Sequence, residues 1–237
     1  DLGMNTAGGF GQYIRVPAQW VVKLPETLTL KEAMIYGTAG FTAGGLVSRV
    51  SELVQPADGQ IIVSGATGGV GSMAVAILAK MGYSVVAISG KKHEHDFLRQ
   101  LGAAEIIARE DFLNLDKKPI LSARYAGAID TVGGTILENM LKTLQPLGAV
   151  ATCGSVAGTN LEVSVFPFIL RGITLIGISS QNCPMRLRLP IWQKLANEWK
   201  PDRLNEISTE ITLNELDEHI KLILEGKIKG RIVVKSL

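Results

Sequence analysis

Between residues 60 and 178 the chain alternates short apolar runs with stretches whose apolar residues recur at helical spacing. The runs are 60–64, 83–89, 106–107, 126–130, 149–153 and 173–178. Between them, 71–81 is rich in small residues, while 94–101 and 136–144 carry an apolar stripe. Strands that are apolar along their whole length are covered on both faces, so the alternation predicts an α/β fold with a doubly wound parallel sheet. The flanks differ. Residues 12–16 alternate polar and apolar, which predicts a half-buried strand ending before Pro25. Residues 29–50 read as a helix interrupted by Gly37 and Gly40, and 55–59 as a turn. At the tail, 213–224 reads as an amphipathic helix and 230–235 as a closing strand. Residues 1–28 and 208–237 therefore read as pieces of a second, β-rich region around an α/β domain at 29–207.

Composition narrows the function classes. Of 237 residues, 46% are hydrophobic and 19% charged, and the net charge of +2 gathers in no basic block. Nucleic acid and membrane surfaces are thus poor partners, and a small molecule is the default. No apolar run is long enough to span a bilayer, and the start at Asp1-Leu2-Gly3 lacks the pattern of a signal peptide. Cys153 and Cys183, with His93, His95 and His219, have neither zinc-site nor disulfide spacing, which fits a cytoplasmic protein.

The candidate chemistry lies at Ser64-Gly65-Ala66-Thr67-Gly68-Gly69-Val70-Gly71, after a strand and at the opening of a helix. In that context it reads as a Rossmann dinucleotide loop, with Ala66, Gly68 and Gly71 at the three glycine positions of the fingerprint. Gly68 lets the backbone approach a pyrophosphate, Gly71 lets the helix pack on the sheet, and the helix N-terminus faces the phosphates. A short-chain dehydrogenase would need a Tyr-x-x-x-Lys pair, and the residues four after Tyr13, Tyr36, Tyr83 and Tyr125 are Pro17, Gly40, Ala87 and Ile129. A P-loop would need Gly-Lys-Ser/Thr where Gly71-Ser72-Met73 stands.

The second strand ends Ser89-Gly90-Lys91-Lys92, without the carboxylate that takes a ribose 2′-hydroxyl. A hydroxyl and two lysines instead suit a 2′-phosphate, so NADP(H) is expected over NAD(H). Without a ligand, the lysine pair would be a solvated turn.

Together with that loop, Gly37-Thr38-Ala39-Gly40-Phe41-Thr42-Ala43, 126–133, 167–172 and 230–235 resemble the medium-chain dehydrogenase/reductase superfamily, in its YhdH/YhfP branch of quinone oxidoreductases and acryloyl-CoA reductases. The resemblance implies a GroES-like catalytic domain of which the chain ends would be remnants, most of it lying before the sequence given. It implies a ligand cysteine within 37–43 in zinc-using relatives, and none stands there. No metal site is expected. It also implies that Thr38 and the loop Ile178-Ser179-Ser180 approach a nicotinamide, and that subunits pair through the strand at 173–178 into a homodimer.

The resulting expectation is a reductase with the pyrophosphate at Thr67, Gly68, Gly69 and Val70 beside Ala66. The 2′-phosphate falls near Ser89 to Lys92, and Asp130, Thr131, Val132, Cys153, Gly154 and Ser155 border the ribose and nicotinamide. Hydride goes to the β-carbon of an unsaturated carbonyl, acryloyl-CoA or a short enoyl thioester. Quinone reduction and NADP(H) binding without turnover are the alternatives. No side chain identifies itself as the proton donor.

Overall fold

The structure, a computed structural model, describes residues 3, 5–11 and 13–235. The readings that involve Asp1, Leu2 and Gln12 lie outside the described residues.

Six parallel strands form one sheet: β1 (Ile61–Val63), β2 (Val85–Ser89), β3 (Ala103–Ala108), β4 (Tyr125–Asp130), β5 (Leu144–Thr152) and β6 (Thr174–Gly177). Their spatial order is β3-β2-β1-β4-β5-β6, the doubly wound Rossmann arrangement, with the switch point between β1 and β4. Ile61 pairs with Val85 on one side and Gly127 on the other. β1 is short but wholly buried, and its residues serve two cores. Ile61 and Val63 join the helices α1 (Leu30–Ser51), α2 (Gly69–Lys80), α3 (His95–Gln100) and α7 (Met185–Ala196) on one face. Ile62 meets α4 (Arg109–Leu113) and α5 (Gly134–Thr143) on the other. A run with no polar face can be satisfied only between two such layers.

A capping box between Thr29 and Glu32 starts α1, and the helix breaks at Gly37, where φ is 47° and ψ −151°. That left-handed geometry favours glycine. Gly40, by contrast, stays helical, so only one of the two expected interruptions exists. Its missing side chain admits the ring of Tyr36.

The half-buried strand expected at 12–16 is not formed over 13–16. Tyr13 is 93% and Ile14 45% exposed. A strand forms when a neighbour takes its backbone hydrogen bonds, and no described strand runs beside this segment. In the tail, β7 (Ser208–Thr212) and β8 (Arg231–Lys235) pair in parallel as a separate two-stranded sheet, joined by α8 (Leu216–Leu224). A short helix, α6 (Phe166–Arg171), precedes β6. Among the described residues no helix is long and apolar enough to cross a membrane.

Candidate functional site

The loop from β1 to α2 is held by packing that only glycine permits. A Cβ on Gly71 would run into the carbonyl of Gly65, so the first turn of α2 lies directly on the loop. Gly65 itself has φ +56°, and a Cβ there would strike the Thr131 hydroxyl. The N-cap of α2 is Gly68, and no side chain caps the helix. Its first amides are therefore left to an outside acceptor, and the helix dipole favours an anion.

Asp130, at the end of β4, is fully buried and works inward. Its carboxylate accepts from the Ser64 hydroxyl at 2.7 Å, the Thr152 hydroxyl at 2.7 Å and the Gly133 amide at 3.0 Å. Ser64 Oγ in turn accepts from the Thr131 amide at 2.8 Å. One carboxylate thus locks the ends of β1, β4 and β5 together. Of the sequence-predicted residues, Asp130 positions the seat, while Thr131 and Val132, half-buried, are the ones it presents. Gly154 is pressed against the Thr131 backbone, which leaves no room for a side chain. Cys153 lies next to this hub, and burial, with Asp130 nearby, pushes its thiol up to about 11. A thiol so protonated at neutral pH is no nucleophile.

A cavity of about 640 Å³ opens beside the loop. It brings together Gly65, Thr67, Ser89, Gly90, Lys91 and Val132, residues from three separate segments. Leu113, Ile136 and Val156 add apolar surface for a base. Lys91 is already engaged: its ammonium donates to the Ile228 carbonyl at 2.7 Å, and its amide to Ser89 Oγ at 3.0 Å. Burial pulls the Lys91 pKa below the usual lysine value, partly opposed by Glu94. Lys92 is exposed and is not part of the cavity wall.

Two cations escaped the sequence reading. Arg109 follows β3, whose Ala108 pairs with Ser89, and it lines the cavity with its guanidinium 3.0 Å from where a Gly90 Cβ would stand. The signal was a basic residue closing the strand next to β2. Arg231 opens β8, and its guanidinium is wedged between the α1 break and the N-terminus of α2. A Cβ on Gly37 would come within 2.9 Å of it, and one on Gly69 within 3.2 Å. Its Nε donates to the Ile35 carbonyl at 3.2 Å, an acceptor near the helix break. Burial lowers its pKa from the usual arginine value, and among the described residues no carboxylate pairs with it. The neighbouring Gly230 amide donates to the Thr67 carbonyl at 2.8 Å, tying β8 to the loop. A half-buried guanidinium without a carboxylate, beside an uncapped helix N-terminus, suits a phosphate.

Thr38 is exposed just after the α1 break. Ile178, Ser179 and Ser180 follow β6 but line a different cavity, with Phe41. The structure therefore groups Thr67, Ser89, Gly90, Lys91 and Val132 in one cavity, without Ala66, Gly68, Gly69, Val70 or Lys92 in its wall, and leaves the expected nicotinamide-side residues dispersed around the strand ends.

The family described as zinc-binding dehydrogenase matches residues 69–197. The "Putative quinone oxidoreductase YhfP" of Bacillus subtilis is 44% identical over 237 residues, covering 99% of this chain and 72% of YhfP. This chain belongs to the medium-chain dehydrogenase/reductase superfamily, in its YhdH/YhfP branch. Other relatives of that superfamily agree. Acrylyl-CoA reductase AcuI of Ruegeria pomeroyi is 40% identical over 228 residues, 96% of this chain and 69% of AcuI. The crystal structure of Escherichia coli K-12 YhdH with bound NADPH superposes with a TM-score of 0.95 at 40% identity, over all of this chain and 73% of that one. YhfP with NAD bound superposes at 0.96 over 99% of this chain and 72% of that one. Within this branch of the superfamily, structures thus carry either dinucleotide. Among the described residues no three potential ligands cluster as a metal site.

Proposed function

We propose that the protein is an NADP(H)-dependent, zinc-independent reductase acting on an α,β-unsaturated carbonyl, with acryloyl-CoA or a similar short enoyl thioester as substrate. The observation that carries the cofactor assignment is the pair of cationic seats at the glycine loop. Arg231 stands over the uncapped start of α2, and Ser89, Lys91 and Arg109 stand at the cavity end. They lie where a dinucleotide across the strand ends would place its pyrophosphate and its 2′-phosphate. The glycine cradle and the free helix terminus fit that group.

When bound, the reduced nicotinamide supplies a hydride to the substrate β-carbon, and a proton adds at the α-carbon to complete the saturated thioester. The chain's residues hold and orient. Arg231 and the α2 terminus fix the pyrophosphate, and Asp130 fixes the loops bearing Thr131, Val132, Cys153, Gly154 and Ser155. Thr38 with Ile178, Ser179 and Ser180 flank the nicotinamide. The developing enolate needs a donor or dipole aimed at its oxygen, and no described side chain is assigned that task. Zinc independence is supported by segment 37–43, which offers threonines and glycines and no cysteine.

The division into an α/β domain at 29–207 and pieces of a GroES-like domain at 1–28 and 208–237 belongs to the same proposal, supported by the separate β7-β8 sheet. So does a cytoplasmic homodimer paired through the run 173–178, which contains β6. That strand has one neighbour, and exposed Phe166, Ile169 and Leu170 stand on the preceding α6. An unprotected apolar edge invites pairing.

Relatives named for acrylyl-CoA and for quinone favour different acceptors. NADPH consumption measured with acryloyl-CoA and with a quinone separates them. Turnover of the thioester is expected, faster than of the quinone. NADPH binding with no turnover of either would leave a non-catalytic binding module.

A further inference from the structure

A groove of about 340 Å³ runs beside α1, apart from the nucleotide cavity. Its walls are mostly apolar, among them Phe41, Ile178, Leu187 and Ile191. One end lies at Phe41, three residues after Thr38, and at Ile178, in the loop assigned to the nicotinamide. From there the groove follows α1 through Gly45 and Ser48 to Arg49 and Glu52. That span of helix is roughly 16 Å long at the α-helical rise. Gly45 keeps the passage open, since a Cβ there would come 3.3 Å from Ile178 Cγ2.

The far end is cationic. Arg49 is half exposed and shares Glu52 at 2.6 Å. The Lys194 ammonium stands 4.5 Å above the Trp199 ring and has no carboxylate partner among the described residues. Arg188 stands behind the Phe41 end. Its guanidinium lies 4.5 Å over the Phe41 ring and donates to the Ser180 carbonyl at 2.9 Å, bracing the loop against α1. The groove thus joins an apolar channel that starts at the reacting end to a positive mouth about one and a half nanometres away.

Resting on the reductase reading above, we propose that this groove takes the pantetheine arm of a coenzyme A thioester, with its phosphates at Arg49 and Lys194. The arm is a narrow, largely apolar chain with two amides, and Ser48, Ser179 and Asn182 on the groove wall can hydrogen-bond them. The volume lies at the low end for a small-molecule site, which suits an arm with its nucleotide head outside. Charge complementarity at the mouth favours an anionic carrier over a neutral quinone.

The test compares acryloyl-CoA with acryloyl-pantetheine, using NADPH, in the wild type and in Arg49→Ala/Lys194→Ala. Wild type is expected to favour the CoA ester in kcat/KM by about tenfold, a difference of about 1.4 kcal/mol, and the double variant to lose most of that preference. Ser48→Trp, which fills the channel, is expected to raise KM for both esters while NADPH affinity confirms that the variant is folded. Equal kcat/KM for the two esters in the wild type, or a preference that survives the double substitution, overturns the groove and leaves the reductase standing. Failure to reduce either ester overturns the reductase reading and the groove with it.

Discussion

The two phosphate seats proposed for the dinucleotide are built differently. The pyrophosphate seat is rigid: glycines in contact with backbone, a buried hub at Asp130, and Arg231 locked between two helices. The 2′-phosphate seat is made of side chains with other partners within reach. Lys91 holds the Ile228 carbonyl, Arg109 pairs with Glu110 at 3.2 Å, and Lys92 faces water. A seat made of backbone accepts any dinucleotide. A seat made of exchangeable cations sets which one is preferred, and by a modest margin. That division matches a branch in which structures hold NADPH in one member and NAD in another.

The contrast can be broken in order of effect. Gly71→Val drives a side chain into the Gly65 carbonyl. It should cost about 3 kcal/mol or more of stability by overpacking, read as a lowered melting midpoint with loss of binding of both dinucleotides. Arg231→Met removes the half-buried charge and should weaken NADPH and NADH alike by about 30-fold, equivalent to about 2 kcal/mol for a charged hydrogen-bonding group. Calorimetry that showed NADPH alone affected would misplace Arg231. Arg109→Ala should weaken NADPH by about fivefold, the scale of an exposed ion pair near 1 kcal/mol, and leave NADH as it was. Lys91→Ala should have a smaller effect, about twofold, because the ammonium already has an acceptor. It also carries a pH signature. Burial holds the Lys91 pKa below the ordinary lysine value, so its charge is lost first as pH rises. The preference for NADPH should shrink as alkaline pH approaches the lysine range, and Lys91→Ala should flatten that early part of the decline.

The glycines of the rigid seat were legible in the sequence. Gly68 and Gly71 were read from local spacing, and at Gly71 steric exclusion leaves no other residue to fill the position. The six strands were located for a similar reason, most clearly β1, β2 and β4, which are buried throughout and so have almost no polar positions. Arg231 was read only as part of a closing strand, because its contact with Ile35 spans 196 residues and leaves no local trace. Arg109 needed the β2-β3 register before it could be set beside Ser89. Helix α7 was missed because Pro190 lies inside it, a residue that argues against a helix when read locally. Strand β7 gained its identity only from pairing with β8. The strand expected at 12–16 failed in the opposite sense: its alternation was real, but no described neighbour completes it.

The account's central claim is tested most directly by titrating the protein, in parallel calorimetry runs at neutral pH, with NADPH and with NADH. Binding of both, with NADPH the tighter by about tenfold from the combined cations at Ser89, Lys91 and Arg109, is the predicted result. Equal affinity, tighter NADH, or retention of neither would contradict it.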